Sequence, residues 1–407
     1  MRVLLTCNDL VRLSGSQAWV RDVAVGFLRA GHEPVVYSPR LGPVAGQLRS
    51  ATVPVVVDLA AVGAPPDVVL GSHHAELMTA LLFYPRLPGV HVCHAWTSPE
   101  AYPPRFPRIR RYVAVDETVR DRLVSEEGIG PDRVEVVLNP VDATRFPPRP
   151  PLPARPRTAL LFSNYATETT HLPAVREACA RTGLQLEVVG AGVGRVVEDP
   201  GPLLARADVV FAKARSALEA LVAGAAVVLC DTTGSGPLVT SREFAALRRR
   251  NLGIRTLDRP LAPGLLAAEI ARYDAADAAR TAALARESAS LTAIVGELEA
   301  VLRASVAAEA AAGSPDREAE ERAAAAYVRW LDQSHLQAAG HLHEVIETER
   351  RAAAERVADV LRGVEGTAAE LRWMRSSATW RLRARLLGIA GLGRLWRALR
   401  GRRGVEA

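Results

Sequence analysis

Hydrophobic residues along the first third of the chain fall in short runs separated by stretches of helical spacing. Residues 2–7 form an apolar run with the length of a buried strand. A loop containing Ser14-Gly15-Ser16 follows, then apolar positions recur at helical spacing over 18–30, and Gly31 closes that segment. A second strand is predicted at 34–37, so the opening is a strand–helix–strand unit of a parallel sheet. Further strands are predicted at 53–57, 67–70, 90–93, 112–115 and 134–138, with a helix opened by Asp116 and Glu117 and running to Glu127. Residues 147–157 are dominated by proline and read as a stiff linker. Alternation then resumes, with strands at 159–162, 186–189, 208–212 and 226–230 and helices at 172–182, 216–223 and 242–250. From about residue 261 the pattern is helical, broken at Gly313-Ser314-Pro315. From Ala353 a heptad runs through Val357, Val360, Val364, Thr367, Leu371 and Met374, which suits self-association over 353–374.

The resulting expectation is an α/β protein of two Rossmann-like domains with parallel sheets, plus a C-terminal α-helical extension. Its boundaries are 1–146 for the first domain, 147–157 for the linker, 158–302 for the second domain with its terminal helices, 316–374 for the extension and 375–403 for a basic tail. A chain of 407 residues is too long for one core.

Charge changes the picture only at the C-terminus. Residues 371–405 carry ten Arg and no acid, whereas removing those ten leaves 41 basic against 45 acidic residues. The basic balance therefore belongs to the tail, and the body is slightly acidic. Trp373, Trp380 and Trp396 are interleaved with the arginines and several leucines over 371–403, a composition suited to an anionic membrane surface rather than to nucleic acid. No apolar run is long enough to span a bilayer, and the first residues lack a signal peptide's apolar segment. Cys7, Cys93, Cys179 and Cys230 are scattered, which fits a reduced cytoplasm with peripheral attachment to the inner face of the membrane. Lys213 is the one lysine among 51 basic residues, and this bias, with the abundant alanine, points to a bacterial, high-GC coding sequence.

Candidate chemistry collects where strands end, because ligands of doubly wound sheets sit beyond the carboxyl ends of the strands. Gly15 and Ser16 open the first helix, where small residues and a helix N-terminus admit an anion. Gly190, Gly192 and Gly194 lack the dinucleotide-binding spacing, which argues against an oxidoreductase. In the second half, Lys213 and Arg215 flank the start of a helix that Ser216 is expected to cap, with Glu219 completing a capping box. Two cations at a helix N-terminus suit a diphosphate. Gly234 and Gly236, after the 226–230 strand, supply amides that can cradle phosphate. His73, His74, His91 and His94 end two first-domain strands, where acid–base work or sugar contacts are expected of His73 or His74. His91 and His94, with Glu76 upstream, lack the helix-borne spacing of zinc hydrolases, and no metal is expected. His335, His341 and His343 are expected to be solvated.

These residues together resemble the family-four retaining glycosyltransferases, whose fold is GT-B, two facing Rossmann-like domains. The resemblance runs in order through the Gly15 loop, the 29–33 segment, the 113–117 stretch with Arg122, Asn139, Asp142, Arg145 and Phe146, and the 207–228 segment with Glu219 and Gly224. It implies transfer of a sugar from a nucleotide-diphosphate sugar to a glycan, lipid-linked or small-molecule acceptor, with retained configuration and with no metal or further cofactor. It implies that Glu219 binds the donor ribose. The family's other glutamate would stand eight positions earlier, where this chain has Phe211, and its phosphate-binding Arg/Lys pair is replaced by Ser163-Asn164-Tyr165. Asn164, Lys213 and Arg215 are therefore the expected donor contacts. A nucleotide-sugar 2-epimerase and a non-catalytic scaffold share the architecture and are the alternatives.

Overall fold

The computed structural model describes residues 1–11, 14–95, 101–147, 149–197, 199–379 and 385. It divides into a first unit of residues 1–327 and a second that begins at Val328. The first unit opens with β1 (Arg2–Thr6), α1 (Gly15–Arg29), β2 (Glu33–Tyr37), α2 (Pro43–Ser50), β3 (Val55–Val56), β4 (Val68–Gly71), α3 (His74–Phe83), β5 (Gly89–Cys93), β6 (Ile109–Ala114), α4 (Glu117–Asp121) and β7 (Val134–Val136). It continues with β8 (Thr158–Phe162), α5 (Leu172–Thr182), β9 (Gln185–Val189), α6 (Gly201–Leu204), β10 (Val209–Ala212), α7 (Ala214–Val222), β11 (Ala226–Asp231), β12 (Gly234–Leu238), α8 (Phe244–Arg249), α9 (Pro263–Ala271), α10 (Ala275–Ser288) and α11 (Leu291–Ala312). Helix α12 (Arg317–Ser376) passes from the first unit into the second.

The first sheet has the order β3-β2-β1-β4-β5-β6-β7, with every pairing parallel. Its central strands are apolar on both faces, as a sheet covered by helices on each side requires: Val3, Leu4, Leu5, Val68, Val69 and Leu70 are fully buried. The second sheet has the order β12-β11-β10-β8-β9. One of its faces carries a core around Val210, Leu218, Val227 and Leu229, and the other a core around Leu161, Val175, Phe211 and Val228.

The expectation of purely parallel sheets needs one correction. Strand β12 runs antiparallel to β11 at the edge of the second sheet. Gly234 and Gly236 belong to this strand, not to an open loop. They are glycine for a packing reason: a Cβ on Gly234 would stand 2.6 Å from the Arg259 carbonyl oxygen, and one on Gly236 2.3 Å from that of Thr256. The helix expected to run to Glu127 stops as α-helix at Asp121 and continues as a π-helical turn, Arg122–Glu126.

Helix α11 leaves the second domain and returns to the first, where it packs on α1, β5 and β6. The close approach needs Gly26 on α1, because a Cβ there would lie 2.6 Å from Val295 Cγ2. Polar contacts line the same seam. His32 Nε2 meets Glu299 at 3.2 Å, and Arg110 Nε donates to Glu309 at 2.7 Å. In the second unit, Val357, Val360, Val364, Leu371 and Met374 of α12 are exposed along the helix. The basic tail expected over 375–403 lies outside the described residues except at 375–379 and 385. Among the described residues no helix is long and apolar enough to cross a membrane.

Gly26→Leu should therefore lower the unfolding free energy by about 2 kcal/mol in urea titrations, the usual cost of overpacking. Val295→Ala in the same chain should recover part of that loss.

Candidate functional site

In the first sheet the strand order reverses direction between β1 and β4, and in the second between β8 and β10. The segments that leave the carboxyl ends of these strands carry Asn8 and Gly15, His73, Asn164, and Lys213 with Arg215. Two cavities lie there. One, of about 500 Å³, is lined by Gly15, Ser16, Ser72, His73, His94, Ala95, Ala101, Asn139, Tyr165 and Arg215. The other is lined by Gly15, Arg145, Phe162, Asn164, Gly190, Val196, Val197, Pro200, Arg215, Ser216 and Glu219, among others. Gly15 and Arg215 belong to both, so the cavities meet at these two residues.

Arg215 is the joint. Its guanidinium is buried and reaches from α7 in the second domain to Asp22 on α1 in the first. Its Nε donates to Glu219 Oε1 at 2.9 Å, and another arm donates to the Pro140 carbonyl at 3.3 Å. Burial alone would pull its pKa down, but Asp22 and Glu219 outweigh that and hold it above the ordinary value. Asp22 is also paired with its neighbour Arg21, which donates in turn to Gln47. Burial lowers the pKa of Arg21 in spite of Asp22, with Arg145 and Arg215 adding repulsion. The carboxylates of Asp22 and Glu219 thus lie between the guanidiniums of Arg21 and Arg215, and Arg145, which also feels this cluster, has Asp199 4.0 Å away.

The expected capping box does not form. Strand β10 ends at Ala212 and α7 begins at Ala214, with only Lys213 between them. Lys213 is the N-cap and no side chain caps the helix, so Ser216 falls within the first turn, where it lines the cavity beside Glu219. The tight connection sets Ala214 at φ +52, a left-handed conformation that an L-residue adopts only at a cost, and its N–H donates to the Leu252 carbonyl at 2.8 Å. The same connection explains Phe211. Counting back eight positions from Glu219 lands inside β10, in the core of the sheet, not on a cleft loop. Lys213 itself does not line either cavity. Its ammonium pairs with Asp231 at the end of β11, so the predicted Lys213–Arg215 diphosphate clamp is not assembled: each cation is already met by a carboxylate. Gly234 and Gly236 are buried in β12 and line neither cavity.

Helix α1 does present its N-terminus to the cleft. Ser14 Oγ turns to Gln17 instead of capping, and Gln17 Nε2 donates to Asn8 Oδ1 at 3.2 Å. The Asn8 N–H then donates to His73 Nδ1 at 3.2 Å. This fixes the ring proton of neutral His73 on Nε2. Burial first, then His74, pushes His73 down to about 4. His91, whose Nδ1 lies 3.2 Å from the Gly71 carbonyl, is pushed down to about 3 chiefly by burial. His94 packs edge-on against Trp19 and is held well below its ordinary value, again mainly by burial.

His73 and His74 separate here. His73 lines the first-domain cavity, whereas His74 is buried behind it with its Nδ1 2.7 Å from Tyr327 Oη. His94 was grouped with the strand-end histidines, whereas Asn139 and Ser72 were not singled out by sequence as cleft ligands. Each lines the cavity with a buried polar atom that has no hydrogen-bond partner among the described residues: His94 Nε2, Asn139 Oδ1 and Ser72 Oγ. Arg145 in the second cavity was likewise visible only as part of a family-like segment. Among the described residues no cluster of three His, Cys, Asp or Glu side chains has the arrangement of a metal site.

Residues 13–145 match the family model described as Glycosyltransferase Family 4. No curated protein matches the chain in sequence. Among solved structures, a glycosyltransferase from Rickettsia africae ESF-5 is similar with a TM-score of 0.54 and 14% identity, covering 75% of this chain and 98% of that one. HepE of Anabaena, solved in complex with UDP and glucose, is similar with a TM-score of 0.55 and 16% identity, covering 74% of this chain and 99% of that one. Likeness at such identities is likeness of fold. The fold is GT-B, and the chain resembles the family-four glycosyltransferases.

Two measurements test the site. Arg215→Met leaves Glu219 buried without its partner, while Asp22 keeps Arg21, and should cost about 3–5 kcal/mol in urea unfolding, part of which Glu219→Gln restores. The histidines give a pH dependence. Rings held at about 4 and about 3 when folded regain an ordinary pKa of about 6.5 when unfolded, so the unfolded chain binds more protons below that pH. The stability they contribute is complete above about pH 6.5 and declines as the pH falls towards 4. The melting temperature should drop between pH 7 and 5, and His73→Gln should flatten the drop by roughly one proton's worth.

Proposed function

We propose that the chain is a glycosyltransferase that moves a sugar from a nucleotide-diphosphate donor to an acceptor held by the first domain. The observation that carries this reading is the pair of cavities meeting at Gly15 and Arg215, one on each domain, at the carboxyl ends of both sheets. The second-domain cavity is the donor site. Glu219 is placed one helical turn from Arg215 to accept from ribose hydroxyls. The N-terminus of α1, with the guanidiniums of Arg145 and Arg215 in the cavity wall, stabilises the diphosphate as it leaves. The first-domain cavity is the acceptor site. There His94 Nε2, Asn139 Oδ1 and Ser72 Oγ are available to hydroxyl groups, and His73, with its proton on Nε2, lines the same space. UDP and glucose bound to HepE support a nucleotide-sugar donor. The family-four resemblance supports retention of configuration without a metal.

The exposed apolar positions of α12 support self-association of the extension over 353–374, and the ten arginines over 371–403 support attachment to an anionic membrane surface. A lipid-linked or glycan acceptor suits that attachment. One observation favours a binding scaffold as the second reading: the strand–helix connection before α7 has no room for a further cleft carboxylate.

A panel of radiolabelled nucleotide sugars decides between them. Transfer or slow hydrolysis supports the transferase, isomerisation of the donor indicates a 2-epimerase, and inertness of a folded, nucleotide-binding protein indicates a scaffold. Gly15→Val is the matching variant. A Cβ at Gly15 meets nothing within 4 Å, so the fold accepts it while its methyl groups enter the cleft. UDP affinity by calorimetry should fall about tenfold or more, with little change in melting temperature.

A further inference from the structure

The first turns of α12 are built into the first domain. Glu320 grips Arg108 through two contacts, at 2.7 and 3.2 Å. Arg108 is buried and its other donors hold the carbonyls of Leu81, Tyr84 and Leu87. Two turns further along α12, Tyr327 is buried as well. Its hydroxyl lies 2.7 Å from His74 Nδ1, and its ring stacks on Tyr102 with centroids 6.3 Å apart and planes at 28°. The His74 ring meets Tyr102 edge-on at 5.9 Å, which closes a cluster of three rings.

This cluster stands directly behind the first-domain cavity. His74 is the chain neighbour of His73, and Tyr102 that of Ala101, and both His73 and Ala101 are cavity walls. His73 is the N-cap of α3 and His74 its first residue, so whatever fixes His74 fixes the entry of that helix. The other wall is pinned from the opposite side: Arg122 donates to the carbonyls of Ala95 and Ala101, at 3.2 Å each.

We infer that Tyr327 is a positioning residue for the first-domain cavity, holding His74 through its hydroxyl and Tyr102 through its ring so that His73 and Ala101 keep their places. The base of the helical extension is then a structural part of the acceptor site, although among the described residues the cavity lining includes none from the extension. The kinetic consequence rests on the proposed function; the positioning does not.

Tyr327→Phe in the full chain keeps the ring on Tyr102 and removes only the hydroxyl. Nitrogen-15 spectra of the histidine rings should show His73 as a single Nε2–H form in the wild type and averaged between tautomers in the variant, while His171 of the second domain stays unmoved. With a nucleotide sugar that supports transfer, kcat/KM for the acceptor should fall about tenfold and the donor KM should hold, because a small misplacement at an acceptor wall is costly. His74→Phe, which removes the other half of the same bond, should give the same kinetic split. Unchanged His73 signals in Tyr327→Phe would overturn the inference, and so would equal losses on the donor and acceptor sides with a lowered melting temperature. If the wild type turns over no nucleotide sugar, the proposed function fails, and the nitrogen shifts still decide the positioning.

Discussion

Burying the Arg215 guanidinium between two domains is expensive, because several kcal/mol of hydration is lost before any partner is met. The structure meets that cost with two carboxylates and a carbonyl drawn from three places: Asp22 on α1, Glu219 on α7 and Pro140 on the segment that joins the domains. A buried ion pair of this kind adds little net stability. What it supplies is geometry: leaving any one partner unpaired is costly, so only one relative placement of α1 and α7 satisfies all of them. Both helices present their N-termini to the cleft, and Gly15 and Arg215 are the residues that its two halves share. The shape of the site therefore follows from satisfying one buried cation.

A single joint of this kind does not hold two domains together, and the remaining work falls to α11. It crosses back onto the first sheet, where Gly26 lets it approach closely, and it is followed by the first turns of α12. The acids Glu299, Glu309 and Glu320 along this return path meet His32, Arg110 and Arg108 in turn. Apolar contact and ion pairing thus agree on one docking position. The first domain is completed by residues nearly three hundred positions downstream of its first strand. For the same reason, a boundary placed by sequence alternation at 302 divides elements that pack as one.

Much of the architecture was legible because it depends on periodicity alone. Parallel strands covered on both faces must read as apolar runs, and those at 2–7, 67–70 and 226–230 became β1, β4 and β11 with small shifts. Gly15 was legible as a cleft residue because a strand followed by a helix points its connection at the cleft, whereas Glu219 was legible there only through the family resemblance. What was not legible depends on distances between segments remote in sequence. Ser216 looked like a cap, but the packing of Ala214 against Leu252 starts α7 earlier. Gly234 and Gly236 looked like a phosphate cradle, but they are small because the Thr256 and Arg259 carbonyls crowd an edge strand. Adjacent histidines cannot be told apart by spacing. One faces the cavity and the other meets Tyr327, which is 253 residues away.

The strand–helix connection before α7 ties these points together. With one residue between β10 and α7, the chain can turn only by placing Ala214 in the left-handed region, and the Leu252 carbonyl holds it there. Asn251 and Leu252 are left-handed too, so three residues in this conformation support one short turn. The turn sends Lys213 towards Asp231 and Arg215 towards Asp22, to opposite partners, although the two cations are only two positions apart. A longer loop would have carried both into the cleft as free donors. The short one converts the first into a tie within the second domain and the second into the joint between domains. What the cleft presents is then the N-terminus of α1 and a guanidinium held in place by its carboxylates, a more rigid arrangement than the paired free cations that the sequence suggests.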